Sequence, residues 1–302
     1  MKVEKTVWNG KEGYLLQNES MEVFVNPEDG MNIYQMDWEG RQMIAWEEER
    51  YQRKATYGVP VLYPTPNRSE DLKIQAFGRQ YDARMHGLVK NLPFEVKAAE
   101  ADGQTALVTG VLLWNEAQPD YPMFPFPSTL RITVKALPDE VVWSYEVENC
   151  VEREMSYGIA VHPYFNKREQ AVKITVPAAS VMEMTEEKIP TGKLIPAGET
   201  VPDLRTPALV DSLSLDHVYT DCQAGAHAEI FYNDCKVKLE ATEEFGHIVV
   251  FTPKAPFFCI ENQSCSTDCF NLFAKGFVRE SGLQTVKAGE KKSGAIRFVF
   301  EK

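Results

Sequence analysis

The sequence predicts an all-β protein, a large antiparallel β-sandwich, and three observations support this fold class. Apolar and polar residues alternate with a period of two along many segments, as they do in strands that bury one face. No long segment has the apolar period of 3.6 residues that is typical of a helix. Prolines and turn-forming residues recur between the alternating segments. Strands of this kind bury their apolar faces by packing one sheet on another.

The clearest pair of predicted strands lies near the middle of the chain. Every second residue from Leu130 to Val134 is apolar, and residues 141–147 alternate in the same way. Residues 137–140 have the sequence Leu-Pro-Asp-Glu, which is typical of a turn, so the pair is predicted to form an antiparallel hairpin. The same alternation recurs at residues 172–176, 237–241 and 296–300.

Few segments depart from the strand pattern. A single short helix is predicted over the charge-rich residues 43–54. Prolines cluster at residues 63–68 and 119–127, and because proline cannot donate the N–H of a central strand, these segments are predicted to be edges or loops, where sites are usually built. No linker, charge block or repeat divides the chain, so residues 1–302 are predicted to form one β-sandwich domain.

Composition and charge narrow the class of protein. The chain is 44% hydrophobic and 25% charged, which is typical of a globular protein with a core. Its net charge of -12 argues against binding to nucleic acid or an anionic membrane and favours a small or neutral ligand. The N-terminus has no apolar signal segment, and no apolar run reaches the roughly 18 residues of a spanning helix. We therefore expect a cytoplasmic protein, either a monomer or a homodimer.

The six cysteines do not point to a disulfide framework. They are sparse for a chain of this length and none lies in a Cys-x-x-Cys pair, so we expect reduced and mostly buried thiols. A zinc site formed by Cys259, Cys265 and Cys269 is the alternative, but these residues lack the usual paired spacing and a nearby histidine. We therefore predict no metal site.

Four segments combine a polar or titratable residue with aromatic, glycine or proline neighbours. The first is Pro66-Asn67-Arg68, in which Asn67 and Arg68 can donate hydrogen bonds to hydroxyl groups, although a surface turn would have the same sequence. The second places His86 next to Gly87, and a glycine lets a ligand approach the backbone closely. A turn histidine that bonds only to backbone would also fit this second segment.

The third and fourth segments hold the candidate proton-transfer groups. An apolar strand ends at His162-Pro163-Tyr164-Phe165, where the proline ends the strand and the aromatic residues provide apolar walls around an imidazole. Glu261 follows the apolar residues 257–260 and has no adjacent cation. If its strand turns Glu261 inward, desolvation raises the pKa of the carboxyl and makes it a candidate general base. If the side chain faces outward, it is an ordinary surface carboxylate.

Together these segments resemble the aldose 1-epimerase family. The pattern His-Gly-x-x-x-Asn-x-Pro-aromatic at residues 86–94, the sequence His-Pro-Tyr-Phe at residues 162–165 and a late glutamate after an apolar strand occur in the family's order between about residues 60 and 270. The family includes galactose mutarotase and hexose-6-phosphate mutarotase relatives. The resemblance implies a galactose mutarotase-like supersandwich, in agreement with the strand pattern.

The resemblance also implies roles for individual residues. It makes His162 the catalytic acid and Glu261 the catalytic base. It makes four residues sugar-binding: Asn67, Arg68, His86 and Asp216. Three aromatic residues are candidates to cover an apolar face of the sugar: Tyr164, Phe165 and Trp114. The chain differs from residues common in the family at four positions: Leu88, Lys90, Phe94 and Asn262.

The implied activity is the interconversion of the α and β anomers of a hexose by acid and base catalysis of ring opening, with no cofactor. The chain contains neither of the glycine-rich motifs G-x-G-x-x-G and G-x-x-x-x-G-K-[ST] that bind nucleotides. Three alternatives stay open. The first is a mutarotase for a sugar phosphate, which would use cations among Lys73, Arg79, Arg84 and Lys90. The second is a carbohydrate-binding or sensor protein without catalysis, and the third is a retaining glycosidase with Glu261 and Asp216 as its two carboxylates. The presence of both His162 and Glu261 favours the enzyme over the binding protein.

Overall fold

The computed structural model describes residues Met1–Lys302. Its three large sheets have five, nine and eight strands, and two further pairs of strands form small ribbons. All pairs of neighbouring strands are antiparallel. The predicted all-β antiparallel fold class is therefore confirmed.

The strands are labelled in chain order. The first thirteen are β1 (Lys2–Trp8), β2 (Lys11–Gln17), β3 (Met21–Asn26), β4 (Asn32–Trp38), β5 (Arg41–Gln42), β6 (Val61–Leu62), β7 (Lys73–Ala76), β8 (Arg79–Asp82), β9 (Glu95–Ala101), β10 (Ala106–Trp114), β11 (Ser128–Leu137), β12 (Glu140–Asn149) and β13 (Met155–Tyr157). The second thirteen are β14 (Ala160–Val161), β15 (Tyr164–Asn166), β16 (Lys173–Thr175), β17 (Ala178–Met184), β18 (Pro190–Pro196), β19 (Ala208–Leu209), β20 (Asp216–Cys222), β21 (Ala228–Phe231), β22 (Lys236–Ala241), β23 (His247–Phe251), β24 (Phe257–Gln263), β25 (Gln284–Val286) and β26 (Lys291–Glu301).

Helices are short and few. The α-helices are α1 (Glu48–Gln52), α2 (Cys269–Ala274) and α3 (Val278–Ser281). Single 3₁₀ turns occupy Pro27–Asp29, Glu70–Leu72, Tyr121–Met123 and Val210–Ser212. None of the helices combines the length and the apolar character that a membrane crossing requires.

The nine-stranded sheet has the order β19-β16-β21-β22-β26-β12-β11-β10-β9, and the eight-stranded sheet has the order β18-β17-β20-β23-β24-β14-β6 with β15 added to β24. The predicted hairpin is β11 and β12, which pair from Ser128 opposite Asn149 to Leu137 opposite Glu140. Residues of all three large sheets, such as Leu16, Leu130 and Ile260, belong to one buried apolar cluster. The core therefore lies between packed sheets, as a sandwich requires.

The helix predicted over residues 43–54 is wrong at its N-terminal end. The helix α1 begins only at Glu48, whereas Met43 and Ile44 are fully buried and extended. Ile44 forms an isolated antiparallel bridge with Phe165. Burial of these two apolar side chains against the sheet outweighs the helix propensity of the charged residues that follow.

The strand β24 lies inside the eight-stranded sheet and positions the site. It has β23 on one side and β14 and β15 on the other, and all seven of its residues are buried. Phe258 and Ile260 belong to the main core. Because side chains alternate between the faces of a strand, Cys259, Glu261 and Gln263 share the opposite face. That face forms the floor of the site.

Candidate active site

Glu261 faces the interior of the protein and not the solvent. Its exposed fraction is 1%, and it lies near the middle of the buried strand β24. The amide nitrogen Nε2 of Gln263 donates a hydrogen bond to Oε2 of Glu261 over 2.9 Å. The inward orientation that a catalytic role requires is therefore the one that the structure shows.

The strand register places His162 opposite Glu261. Ala160 in β14 pairs with Gln263, and Tyr164 in β15 pairs with Cys259, so His162 between them falls level with Glu261. Pro163 has no N–H and separates the two short strands, as the sequence predicted. The imidazole Nε2 of His162 lies 3.3 Å from Oε1 of Glu261. Both side chains are almost fully buried.

Burial shifts the pKa values of this pair in opposite directions. Desolvation lowers the pKa of His162 well below 6.5, and the nearby His86 and Arg50 add to that effect. Desolvation likewise raises the pKa of Glu261 well above 4.5, although the hydrogen bond from Gln263 opposes the shift. Because both charged forms are disfavoured, a neutral carboxylic acid beside a neutral imidazole is the favoured resting state. The pair then carries one transferable proton.

Tyr164 fixes the plane of the His162 imidazole. The two rings are parallel to within 5°, with centroids 4.6 Å apart. The Tyr164 hydroxyl forms a short hydrogen bond with the hydroxyl of Thr56 and accepts a second from Nη2 of Arg50 over 3.2 Å. A tyrosine anchored in this way limits rotation of the His162 ring, which keeps its nitrogen directed at Glu261.

Two of the three aromatic residues expected to cover a sugar do not lie in the site. Phe165 is fully buried in the core and stacks on Phe258 with ring centroids 5.7 Å apart. Trp114 is also in the core, where its indole N–H donates to the carbonyl oxygen of Phe124 over 2.7 Å. Those two predictions are wrong, because an apolar residue in a strand packs inward by default.

His86 lies beside His162. Its ring is 5.2 Å from that of His162 in an edge-to-face arrangement. His86 and Gly87 both have positive φ angles, 67° and 76°, and a Cβ at Gly87 would collide with the carbonyl oxygen of Tyr63. Burial, with Lys90 and Arg68 nearby, lowers the pKa of His86 to about 3. The imidazole is therefore neutral, and its buried Nδ1 has no partner within the protein.

Asn67, Arg68 and Asp216 complete the site. The carbonyl oxygen of Asn67 accepts a hydrogen bond of 2.6 Å from the backbone N–H of His86, which ties the two loops together. Arg68 Nη2 lies 3.2 Å from Asp216 Oδ2, and both side chains are about one-quarter exposed. Asp216 pairs with Phe251, which pairs with Cys259, so its side chain is on the same face of the sheet as Glu261. The structure thus brings the six predicted site residues close together: Asn67, Arg68, His86, His162, Asp216 and Glu261.

Three further residues belong to this site and were not predicted. Gln263 follows Glu261 by two positions, and the period of two could have identified it as a neighbour on the same face. Arg50 and Thr56 come from the distant segment around α1, and no local pattern marks them.

Cys259 lies beside the site, and two of the four cations named from the sequence are paired with carboxylates. Cys259 packs with Tyr164 and Phe257, and no cluster of three potential metal-binding side chains is present. Two of the four cations form salt bridges, Lys73 with Asp82 and Arg84 with Asp120. The positive charge of Lys90 lies close enough to His162 to lower the pKa of its imidazole.

Comparisons with known proteins identify the family and the fold. The model of the aldose 1-epimerase family matches residues 14–299. A galactose mutarotase-like protein from Clostridium acetobutylicum has a TM-score of 0.85 at 19% identity, with 99% of this chain and 98% of that chain covered. A galactose 1-epimerase from Lactobacillus acidophilus has a TM-score of 0.78 at 15% identity, with 99% and 98% covered. A galactose mutarotase-like protein from Lactobacillus casei has a TM-score of 0.76 at 18% identity, with 95% and 99% covered.

These solved structures show that the fold is shared, and the family match spans nearly the whole chain. The protein belongs to the aldose 1-epimerase family.

Proposed function

We propose that residues 1–302 act as one aldose 1-epimerase domain that interconverts the α and β anomers of a free hexose. The observation that carries this proposal is the buried contact of 3.3 Å between His162 and Glu261. Opening a sugar ring requires a base at the C1 hydroxyl and an acid at the ring oxygen, and these two side chains can supply both. Membership of the aldose 1-epimerase family supports the same reaction.

Ring opening uses one proton state of the pair and produces the other. The proton of neutral Glu261 first passes to His162 across their 3.3 Å contact. Glu261, now a carboxylate, takes the proton of the C1 hydroxyl, while protonated His162 donates its proton to the ring oxygen. The bond between C1 and the ring oxygen breaks, and the open-chain aldehyde forms. The pair is then a neutral acid beside a neutral imidazole, the state that burial favours.

Ring closure reverses the proton transfers after rotation about the C1–C2 bond. His162 takes the proton back from the C5 hydroxyl, and Glu261 returns its proton to the aldehyde oxygen as the ring closes on the other face. In both states the pair holds one proton, either on His162 or on Glu261. The net charge of the pair is therefore zero throughout the reaction. A positioned proton transfer typically accelerates a reaction about 10²- to 10⁴-fold. No step uses a cofactor.

The other residues of the site would hold the sugar hydroxyls. Arg68 supplies charged N–H donors and Asp216 a charged acceptor, and hydrogen bonds to charged groups are stronger than neutral ones. His86, whose Nδ1 is free, supplies a neutral imidazole that can donate or accept according to its tautomer. Asn67 is buried beside them and adds an amide.

A sugar phosphate is a second candidate substrate, and a cavity beside Asp216 favours it. The cavity has a volume of about 320 Å³ and is lined by Lys167, Lys188 and Lys254 together with Asp211. Lys167 is paired with Asp211 over 2.8 Å, whereas Lys188 and Lys254 make no salt bridge. Two unpaired lysines in a protein of net charge -12 would be suitable partners for a phosphate group.

A retaining glycosidase explains the site less well than a mutarotase does. Asp216, which would be the second carboxylate, is paired with Arg68. The buried contact between His162 and Glu261 would have no role in a mechanism that uses two carboxyl groups.

The proposed activity is tested by following the optical rotation of freshly dissolved α-glucose, α-galactose and α-glucose 6-phosphate with the protein. Faster decay of the rotation of a free sugar would support the primary proposal. Faster decay with glucose 6-phosphate alone would instead support a sugar phosphate as the substrate. Sugar binding with no acceleration would contradict both and identify a carbohydrate-binding protein.

The pH profile of kcat/KM is expected to have its acid limb below the usual imidazole range and its alkaline limb well above the usual carboxyl range. Activity requires the state of the pair with one proton. The pair gains a second proton only below the usual imidazole range, because the pKa of His162 is lowered from 6.5. The acid limb of the profile is therefore expected below pH 6.5. It loses its last proton well above the usual carboxyl range, because the pKa of Glu261 is raised from 4.5. Rates measured from acid to alkaline buffers would contradict this expectation if the acid limb were centred at or above 6.5.

Replacing Asp216 with asparagine is expected to weaken sugar binding more than catalysis. The variant loses a charged acceptor and leaves Arg68 without its partner, and a hydrogen bond to a charged group contributes about 1.5–3 kcal/mol. KM should therefore rise about 10- to 100-fold while kcat falls much less. Asp203→Asn, which removes an exposed pair with Arg205, is the matched control and should leave both constants unchanged. A fall in kcat with an unaltered KM would show that Asp216 acts in the chemical step.

A further inference from the structure

We propose that Gln263 is a positioning residue that holds one oxygen of Glu261 and so confines the transferred proton to the other. This inference rests on the proposed mutarotase function and adds a residue to its mechanism. Gln263 has no contact with the reacting atoms in the steps above, and its effect would be exerted through Glu261.

The geometry divides the two carboxyl oxygens between different partners. Oε2 of Glu261 accepts the hydrogen bond from Gln263 Nε2 over 2.9 Å, and Oε1 lies 3.3 Å from His162 Nε2. Gln263 has an exposed fraction of 0% and is in the last position of β24, paired with both His247 and Ala160. Strands on both sides therefore fix the position from which it reaches Glu261.

The same hydrogen bond can persist through the whole catalytic cycle. An amide N–H can donate both to an ionised carboxylate and to the carbonyl oxygen of a protonated carboxyl group, and the bond to the carboxylate is the stronger of the two. While Gln263 occupies Oε2, the proton enters and leaves at Oε1, the oxygen that faces His162. The carboxyl group is thereby prevented from turning its reactive oxygen away between ring opening and ring closure.

The amide is poorly explained as a stabilising residue. Its carbonyl oxygen Oε1 is buried and has no partner in the protein, so the bond to Glu261 is the one hydrogen bond made by this buried side chain. A buried polar atom without a partner destabilises the folded state. A methionine of similar shape would avoid that cost, which indicates that the amide serves the carboxyl group and not the fold.

Gln263→Met is the variant that tests this inference. We expect kcat to fall about 10- to 100-fold, the effect of losing a hydrogen bond to a charged group, while KM and the temperature of unfolding stay close to those of the wild type. The bond lowers the pKa of Glu261, so its loss should move the alkaline limb of the rate profile to higher pH. Asn262→Ala, a buried neighbour on the opposite face of the strand, is the matched control and should change neither kcat nor the limb.

A second measurement does not depend on turnover. The ¹³C NMR signal of the Glu261 carboxyl, assigned by its loss in Glu261→Gln, should titrate at higher pH in Gln263→Met than in the wild type. If Gln263→Met does not fold, Gln263→Asn retains an amide that is too short to reach, and it should show the same changes.

An unshifted titration, or a kcat equal to that of the Asn262→Ala control, would overturn the positioning role of Gln263. A wild-type protein that accelerates no aldose would overturn the proposed function instead, and the NMR titration would still decide whether Gln263 acts on Glu261.

Discussion

Replacing Glu261 with glutamine is expected to lower kcat about 10²- to 10⁴-fold, because the amide has the shape of the carboxyl group but cannot take a proton from the C1 hydroxyl. Folding should be preserved, since the favoured state of Glu261 in its buried position is already neutral. Optical rotation measured at saturating sugar gives kcat, and a thermal unfolding curve provides the control for folding. A folded variant with wild-type kcat would exclude Glu261 as the base.

Replacing His162 with asparagine is expected to cause a loss of the same order, because the ring oxygen then receives no proton from the protein. The informative variant is the double one, His162→Asn with Glu261→Gln. Residues that act as one unit are strongly non-additive, so the double variant should be about as slow as the slower single variant. Losses that multiply would show that the two side chains act independently and would contradict a shared proton.

The fold could be predicted because strand alternation reports burial directly. In β11 and β12 the alternating apolar residues are the buried ones, and the Pro-Asp turn joins the strands at the predicted place. The order of strands in each sheet could not be predicted. The C-terminal strand β26, for example, inserts between β12 and β22, and no local pattern encodes pairing between such distant segments.

The incorrect predictions have a common physical cause. Met43 and Ile44 lie in a segment whose charges suggest a helix, yet they pack as extended chain against the sheet. Phe165 and Trp114 were expected to cover a face of the sugar, yet they pack into the core. In each case the burial of apolar surface determines the position, and burial depends on tertiary contacts that are not visible in a short window.

The site could be predicted as a set of residues but not as a geometry. The family resemblance named His162 and Glu261, whereas their contact follows from the pairing of Ala160 with Gln263 and of Tyr164 with Cys259. The sequence also predicted that an inward-facing glutamate would have a raised pKa, and the structure shows that direction. It did not predict that His162 would have a lowered pKa, which depends on burial beside His86 and Arg50. That shift, together with the raised pKa of Glu261, favours the neutral form of the pair.

Exchange between anomers at equilibrium is the measurement that tests the central claim most directly. In a glucose solution at anomeric equilibrium, ¹H NMR magnetisation transfer between the α and β anomeric protons reports interconversion without any change in composition. We expect transfer that increases in proportion to the concentration of wild-type protein and that falls to the level of protein-free buffer with Glu261→Gln. Transfer of equal strength with both proteins, or none with the wild type, would contradict anomer exchange by the His162–Glu261 pair.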